Sequence, residues 1–320
     1  MNPNYPKISV IIITYNQENI INRAIDSVLN QKDYLHEIII SDDCSQDGTW
    51  EVVKKYKEKY PEKLKSQRHN QNLGIYENLE STYNLVTGNL IFYLSGDDAM
   101  GESLLKNTCE LFSKNPINYD TDKFCVITDF KIVYPDNSEK IIRNDLVQQY
   151  NPFSLKFRNL IFNRALGESR AIFDLRKSFS IKRSNQENIP TFLQEMFFDS
   201  FPFYYCNKIY YLSIVGNIYY SNLGISSLIS TKFRKKRLLS EINYINEIKK
   251  YFKNLNNEDL NWLKYTNAKI KYLLKPSFKN YYNYFKSFLL IRKDPLKSLI
   301  YKKEIKIFIK SVKFLINESN

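Results

Sequence analysis

The chain has 320 residues, 43% of them hydrophobic, enough to bury a substantial core in one large or two modest domains. Its 8 glycines form neither a G-x-G-x-x-G nor a G-x-x-x-x-G-K-[ST] loop, which argues against a dinucleotide fold or a P-loop NTPase, and 2 histidines leave little room for imidazole chemistry. The net charge of +13 is uneven: residues 231–320 carry 22 Lys and Arg against 7 Asp and Glu, whereas residues 1–230 carry 25 against 27.

Lys7 to Thr14 is a continuous β-branched run, the pattern of a strand buried on both faces of a mostly parallel sheet. Ile20, Ile21, Ala24, Ile25, Val28 and Leu29 follow at helical spacing, and Glu37 to Ser41 reads as a second buried strand, completing a β-α-β unit. Asp47-Gly48-Thr49 precedes a helix carrying Val52, Val53, Tyr56 and Tyr60. After Asn72-Leu73-Gly74 another helix carries Tyr76, Leu79, Tyr83 and Val86, and Asn89 to Leu94 is a further strand. Leu104, Leu105, Thr108, Cys109 and Phe112 mark a helix, and Phe124 to Tyr134 predicts a long strand that turns at Pro135 to Ser138.

The stretch 151–190 is less regular. Thr191 to Tyr205 predicts a helix, and Ile209 to Leu212 and Gly216 to Tyr220 predict two short strands. From Thr231 onward the pattern is helical, interrupted by Pro276 and Pro295. The expected fold is α/β, an open mostly parallel sheet flanked by helices, over residues 1–230, with a basic helical region over residues 231–320.

Two acidic pairs stand at strand ends. Asp42-Asp43 follows EIIIS, and Asp97-Asp98 follows NLIFYL after Ser95-Gly96. Ligands of open parallel sheets bind outside the carboxyl ends of the strands, so both pairs face one crevice, although aspartates there also start turns and cap helices. Adjacent carboxylates repel, and a hard divalent cation such as Mg²⁺ or Mn²⁺, shared with substrate phosphates, would relieve Asp97 and Asp98. Asp43 would remain to accept hydrogen bonds from a base or ribose.

Pro6 to Asn16, then Ser27 to Gln31, then Glu37 to Thr49 with its Asp42-Asp43-Cys44-Ser45-Gln46-Asp47-Gly48 core, and later Gly88 to Asp98, resemble in order the opening motifs of family-2 glycosyltransferases of the GT-A fold. The resemblance implies inverting transfer of a sugar from a nucleotide donor, usually a UDP- or dTDP-sugar, to an acceptor hydroxyl. It places Thr14, Tyr15 and Asn16 in the nucleotide pocket, Asp43 on the base, Asp97 near ribose and donor sugar, and Asp98 on a divalent metal (Mn²⁺ or Mg²⁺). Ser95 departs from the aspartate that many members carry there, and Ser221 stands where many carry an arginine; Arg170, Arg176 or Lys208 could replace the latter.

Attack by the acceptor needs a general base, and a carboxylate downstream is expected. Gln194 to Asp199 resembles the family's region where an Asp or Glu base precedes an aromatic helix, which makes Glu195 and Asp199, four residues apart and on one face of that predicted helix, the candidates; the resemblance favours Glu195, nearer the helix start.

Residues 296–316 place Tyr301, Ile305, Phe308, Val312 and Leu315 opposite Lys302, Lys306, Lys310 and Lys313, a cationic amphipathic helix that either packs on the catalytic domain or docks on an anionic membrane; the cluster Lys232 to Arg237 adds to that charge. Nucleic acid is not an expected partner. The expected partners are a nucleotide-sugar donor and a saccharide or lipid-linked saccharide acceptor, in surface polysaccharide, capsule or lipopolysaccharide synthesis. Four cysteines without C-x-x-C spacing, no apparent signal peptide and no run of about 18 apolar residues predict a cytoplasmic protein, peripheral at most to the inner membrane face. A sugar nucleotidyltransferase and a non-catalytic adaptor on the same scaffold are the alternatives.

Overall fold

The computed structural model describes residues 5–117, 122, 124–143, 171–172, 208–221, 239 and 257–290. Glu195, Asp199, Arg170, Arg176, the cluster 232–237 and the predicted helices 191–205 and 296–316 lie outside the described residues. The chain forms two compact units, the first holding every described residue up to Ser221 and the second holding residues 239 and 257–290.

In the first unit β1 (Ile8–Thr14), β2 (Glu37–Asp42), β3 (Leu64–Arg68) and β4 (Leu90–Ser95) form a wholly parallel sheet in the order β3-β2-β1-β4. Every residue of β1 and β2 is buried. Ile8, Val10, Ile12, Ile38 and Ile40 share one cluster with Ile21, Ala24, Ile25 and Val28 of α1 (Ile21–Leu29) and with Leu105 and Phe112 of α4 (Leu104–Lys114). Each Val, Leu, Ile or Phe among them, fully buried, is worth about 1.5–3 kcal/mol, so this layer fixes where the strands end. α2 (Thr49–Lys59) and α3 (Ile75–Ser81) are further helices of this unit.

A second, mixed sheet contains β5 (Ala99–Met100), β6 (Phe124–Val133), β7 (Glu139–Ile142), β8 (Ala171–Ile172) and β9 (Lys208–Tyr220). The expected turn between β6 and β7 forms, with Asn137 in the left-handed region at φ 61° and its amide bonded to the Tyr134 carbonyl.

Three elements differ from expectation. β3 (LKSQR) carries one buried apolar residue, Leu64, and is held by pairing with β2. The predicted helix through Val86 ends at Ser81 and tightens into a 3₁₀ turn over Thr82–Leu85. The two short strands after residue 208 are one strand, β9, whose register against β6 shifts between Leu212 and Val215, so the polar interruption is an irregularity within one strand.

The second unit contains α5 (Asn257–Leu274) and α6 (Phe278–Leu290). Pro276 separates them, and the Ser277 hydroxyl receives the Asn280 amide at 3.3 Å at the start of α6. The helices meet through Tyr265 and Tyr272 against Tyr284 and Phe288, with Tyr272 and Tyr284 stacked at 5.9 Å between centroids. Among the described residues no helix is long and apolar enough to cross a membrane.

Candidate active site

The parallel register pairs Thr14 with Asp42 and Ile13 with Ser95, so β1, β2 and β4 finish level and their following loops share one edge of the sheet. Those loops are stitched together. The Asp43 amide donates to the Thr14 carbonyl (2.9 Å), the Asn16 amide to Ser45 Oγ (2.9 Å), and the Gln46 amide to Asn16 Oδ1 (2.7 Å). The Gln17 amide donates to Thr49 Oγ1 (2.7 Å), and the Glu18 amide and Asp47 Oδ2 add a further pair (3.1 Å). Burial draws the Asp47 carboxyl upward, but donation from Thr49 and Glu18 wins and holds it below the usual range. Asn16 (φ 52°) and Cys44 (φ 63°) are both left-handed, a strain the ladder offsets.

The expected nucleotide-binding residues therefore divide. Thr14 is buried, and its hydroxyl donates to Gln17 Oε1 at 2.7 Å; Asn16 uses its side chain to hold the neighbouring loop; Tyr15, 36% exposed, presents its ring outward. Gly96 explains the tight fit: a Cβ there would lie 2.2 Å from Gln17 Oε1 and 3.1 Å from Thr14 Oγ1.

Asp43, 3% exposed, accepts the Leu73 amide on one carboxylate oxygen (2.7 Å) and the Gly74 amide on the other (2.9 Å). Gly74 reaches that geometry at φ 83°. Asp43 thus fixes the Asn72-Leu73-Gly74 loop at the crevice edge. Asp42, fully buried, turns inward to Ser45, whose amide and hydroxyl it accepts, and Arg68 Nε lies 3.5 Å away. Burial pushes the Asp42 carboxyl above its ordinary value despite those donors.

Asp97 and Asp98 occupy the link between β4 and β5, with the Asp98 amide donating to the Ser95 carbonyl and the Asp98 side chain 3% exposed. Beside them stands a residue that pattern reading missed. Arg23, in the first turn of α1, donates from Nη2 to the Asp97 carbonyl at 2.5 Å, and its guanidinium stacks 3.4 Å from the centre of the Tyr220 ring. Burial lowers its pKa, while Tyr220, Asp98 and Asp97 oppose the fall. Arg23 joins the acidic link to the end of β9, next to Ser221. The signal was present as one cation on a helix starting at the β1 end, but spacing alone does not show the contact with Tyr220, 197 residues later.

Lys208 does not take that place. It lies at the other end of the 13-residue β9 and pairs with Asp122 at 3.0 Å. At about 3.3 Å per residue it is on the order of 35–40 Å from Tyr220. Both histidines serve the scaffold: His36 Nε2 meets Thr87 Oγ1 (3.1 Å) and His69 Nε2 meets Ser81 Oγ (3.1 Å). Among the described residues no cluster of three or more His, Cys, Asp and Glu is placed to hold a metal. The acidic link instead offers hard oxygen ligands of the incomplete kind that suits Mg²⁺ or Mn²⁺ when substrate phosphates complete the shell.

The model of the family described as Glycosyl transferase family 2 matches residues 9–171, just over half of the chain. The chain belongs to glycosyl transferase family 2. The first curated relatives match over only 26–34% of their own length. The poly(ribitol-phosphate) β-glucosyltransferase of Bacillus spizizenii is 33% identical over 105 residues, 31% of this chain and 16% of that protein. Among solved structures, S. aureus TarS 1–349 in complex with UDP-GlcNAc aligns with a TM-score of 0.56 and 18% identity over 92% of this chain and 83% of that one. The mannosyltransferase PcManGT of Pyrobaculum calidifontis, in complex with GDP-Man and Mn²⁺, aligns with a TM-score of 0.51 and 15% identity over the same shares. These likenesses carry the GT-A fold, and the family membership rests on the match over residues 9–171.

Proposed function

We propose that the chain transfers a sugar from a nucleoside diphosphate sugar, a UDP-sugar in the first instance, to an acceptor hydroxyl with inversion. The observation that supports this reading most is the level ending of β1, β2 and β4, which sets Tyr15, Asp43 and the Asp97-Asp98 link along one edge of the sheet. Asp43 orders the Leu73-Gly74 loop as one wall of a base pocket, and Tyr15 offers a ring for stacking. Asp97 would face ribose and donor sugar, and Asp98 would hold a divalent cation. When bound, that cation supplies charge neutralisation for the departing diphosphate.

Transfer forms a bond from the acceptor oxygen to the anomeric carbon as the bond to the diphosphate breaks on the opposite face. The acceptor proton passes to a carboxylate, assigned to Glu195 with Asp199 as the alternative from their place in the sequence. Arg23 keeps the acidic link in place and supplies a fixed positive charge beside Ser221. The relative named as a poly(ribitol-phosphate) β-glucosyltransferase supports a polymeric, hydroxyl-bearing acceptor; a surface polysaccharide as that acceptor and a place at the inner face of the membrane belong to the same proposal.

Calorimetric titration of UDP with and without Mn²⁺, repeated on Asp98→Asn, tests the donor site. The expected result is metal-dependent binding that the variant loses. Absence of UDP, dTDP and GDP binding under both conditions would overturn the reading. Glu195→Gln is expected to abolish transfer while donor binding stays within twofold; full retained activity would move the base to Asp199.

A further inference from the structure

The outer face of α6 is apolar where a soluble helix is ordinarily polar. Phe278, Tyr282, Phe285 and Leu289 are 72%, 54%, 41% and 44% exposed. Their spacing of four, three and four residues places them within an arc of about 60° on the helix. The opposite face is spent on the hairpin core, where Tyr284, Ser287 and Phe288 are buried. Lys279 and Lys286, both exposed, flank the stripe on one side. From Leu260 to Leu290 the chain has six lysines and no acidic residue.

We propose that this face of α6 is a docking surface for an anionic lipid bilayer, its aromatic stripe entering the interfacial region while the lysines meet headgroup phosphates. The proposal is independent of the donor reading and assigns a membrane contact to residues 278–290, outside the predicted amphipathic helix 296–316. Charge selects the occupant. A second copy of this face would set Lys279 and Lys286 against their own counterparts, and the acidic residues of the hairpin, Glu258 and Asp259, stand in the first turn of α5 and not on the stripe. The chain's own residues 291–320 carry 8 basic against 3 acidic residues and are equally unsuited to cover a cationic face. An anionic surface satisfies the lysines, and its acyl boundary takes up Phe278 and Leu289, which a nucleic-acid backbone has no means to bury.

The test is sedimentation of the full-length protein with vesicles of phosphatidylcholine containing 30% phosphatidylglycerol and with vesicles of phosphatidylcholine alone. Binding to the anionic vesicles is expected to be at least tenfold tighter. Phe278→Ser with Phe285→Ser is expected to weaken it at least tenfold while nucleotide binding is unchanged, and Lys279→Gln or Lys286→Gln by about fivefold each. Should the serine variant lose its helical circular dichroism, Tyr282→Trp in the native background gives a second reading. Its fluorescence is expected to be quenched by brominated lipid beyond the signal of Trp50 and Trp262. Equal binding of wild type and serine variant, no added quenching of Trp at 282, or a dimer that the serine variant converts to monomer would overturn the proposal; the last would make the stripe an interface between copies.

Discussion

At the scale of single residues, two charged side chains have separable jobs. Arg23 bridges α1, the Asp97 carbonyl and the Tyr220 ring, three pieces of chain that no local rule connects. Arg23→Gln removes a charge-assisted hydrogen bond and a cation–π contact, and a stability loss of about 1–3 kcal/mol follows. Turnover is expected to fall further, by about tenfold or more, because the acidic link loses its tether. The Mn²⁺ concentration for half-activation should decrease, since Asp97 and Asp98 no longer share their field with a fixed cation; an unchanged metal requirement would confine Arg23 to a packing role. Arg23→Lys is expected to keep the metal requirement and lose the stacking.

Glu37 acts at the opposite end of β2. It is 4% exposed and accepts from Ser9 Oγ, the Thr87 amide and the Thr87 hydroxyl, with Lys65 Nζ at 2.6 Å. Burial pulls its carboxyl upward, but the Lys65 contact and the other donors prevail and bring it to about 2. A depressed folded-state value means the stabilisation is fully present above the unfolded value near 4.5 and is lost as pH falls from there through about 2. The depression corresponds to about 3 kcal/mol. Glu37→Gln should therefore flatten the stability curve between pH 4.5 and 2 in urea denaturation followed by circular dichroism, with the wild type the steeper of the two.

At the scale of elements, what the sequence made legible was what burial writes into it. β1 and β2 are apolar runs because they sit inside a parallel sheet, and β4, at the edge away from β3, reads the same way because four of its six residues are buried; the acidic pairs that follow β2 and β4 were readable for that reason. β3 was hidden because an edge strand needs only Leu64 inside and is otherwise polar. β9 looked like two strands because Ser213 and Gly216 interrupt its alternation. The structure gives Gly216 a reason: a Cβ there would lie 2.2 Å from Thr128 Oγ1, in the stretch where the β6–β9 register shifts. Gly101 is similar, since a Cβ would meet the Val215 carbonyl oxygen at 1.7 Å, so β5 can approach β9 only without a side chain. Close approaches of this kind leave a bare glycine in the sequence and nothing that names the partner. Roles within the motifs were equally hidden: Thr14, Asn16 and Asp43 were expected on the nucleotide, yet their side chains hydrogen-bond to neighbouring loop residues.

At the scale of the whole molecule, charge is divided between two tasks that respond differently to salt. Residues 1–230 are close to neutral, and their acidic groups at the site are buried or half-buried, whereas residues 231–320 hold the entire positive excess, part of it on the exposed Lys264, Lys271, Lys279 and Lys286 of α5 and α6. Screening shortens the reach of exposed charge from about 10 Å at 0.1 M salt to about 3 Å at 1 M, and affects buried groups far less. Raising NaCl from 0.1 to 0.5 M is therefore expected to weaken binding to phosphatidylglycerol vesicles by tenfold or more. UDP binding in the presence of Mn²⁺ should change by no more than about threefold, because desolvated contacts dominate it. Sedimentation and calorimetry on one preparation read both effects. Parallel loss of the two would mean that nucleotide affinity also depends on the exposed basic surface, and the division of labour drawn from the charge distribution would fail. Separate responses would mean that salt releases the protein from an anionic surface while leaving the donor site intact, as expected when attachment and chemistry reside in different parts of the chain.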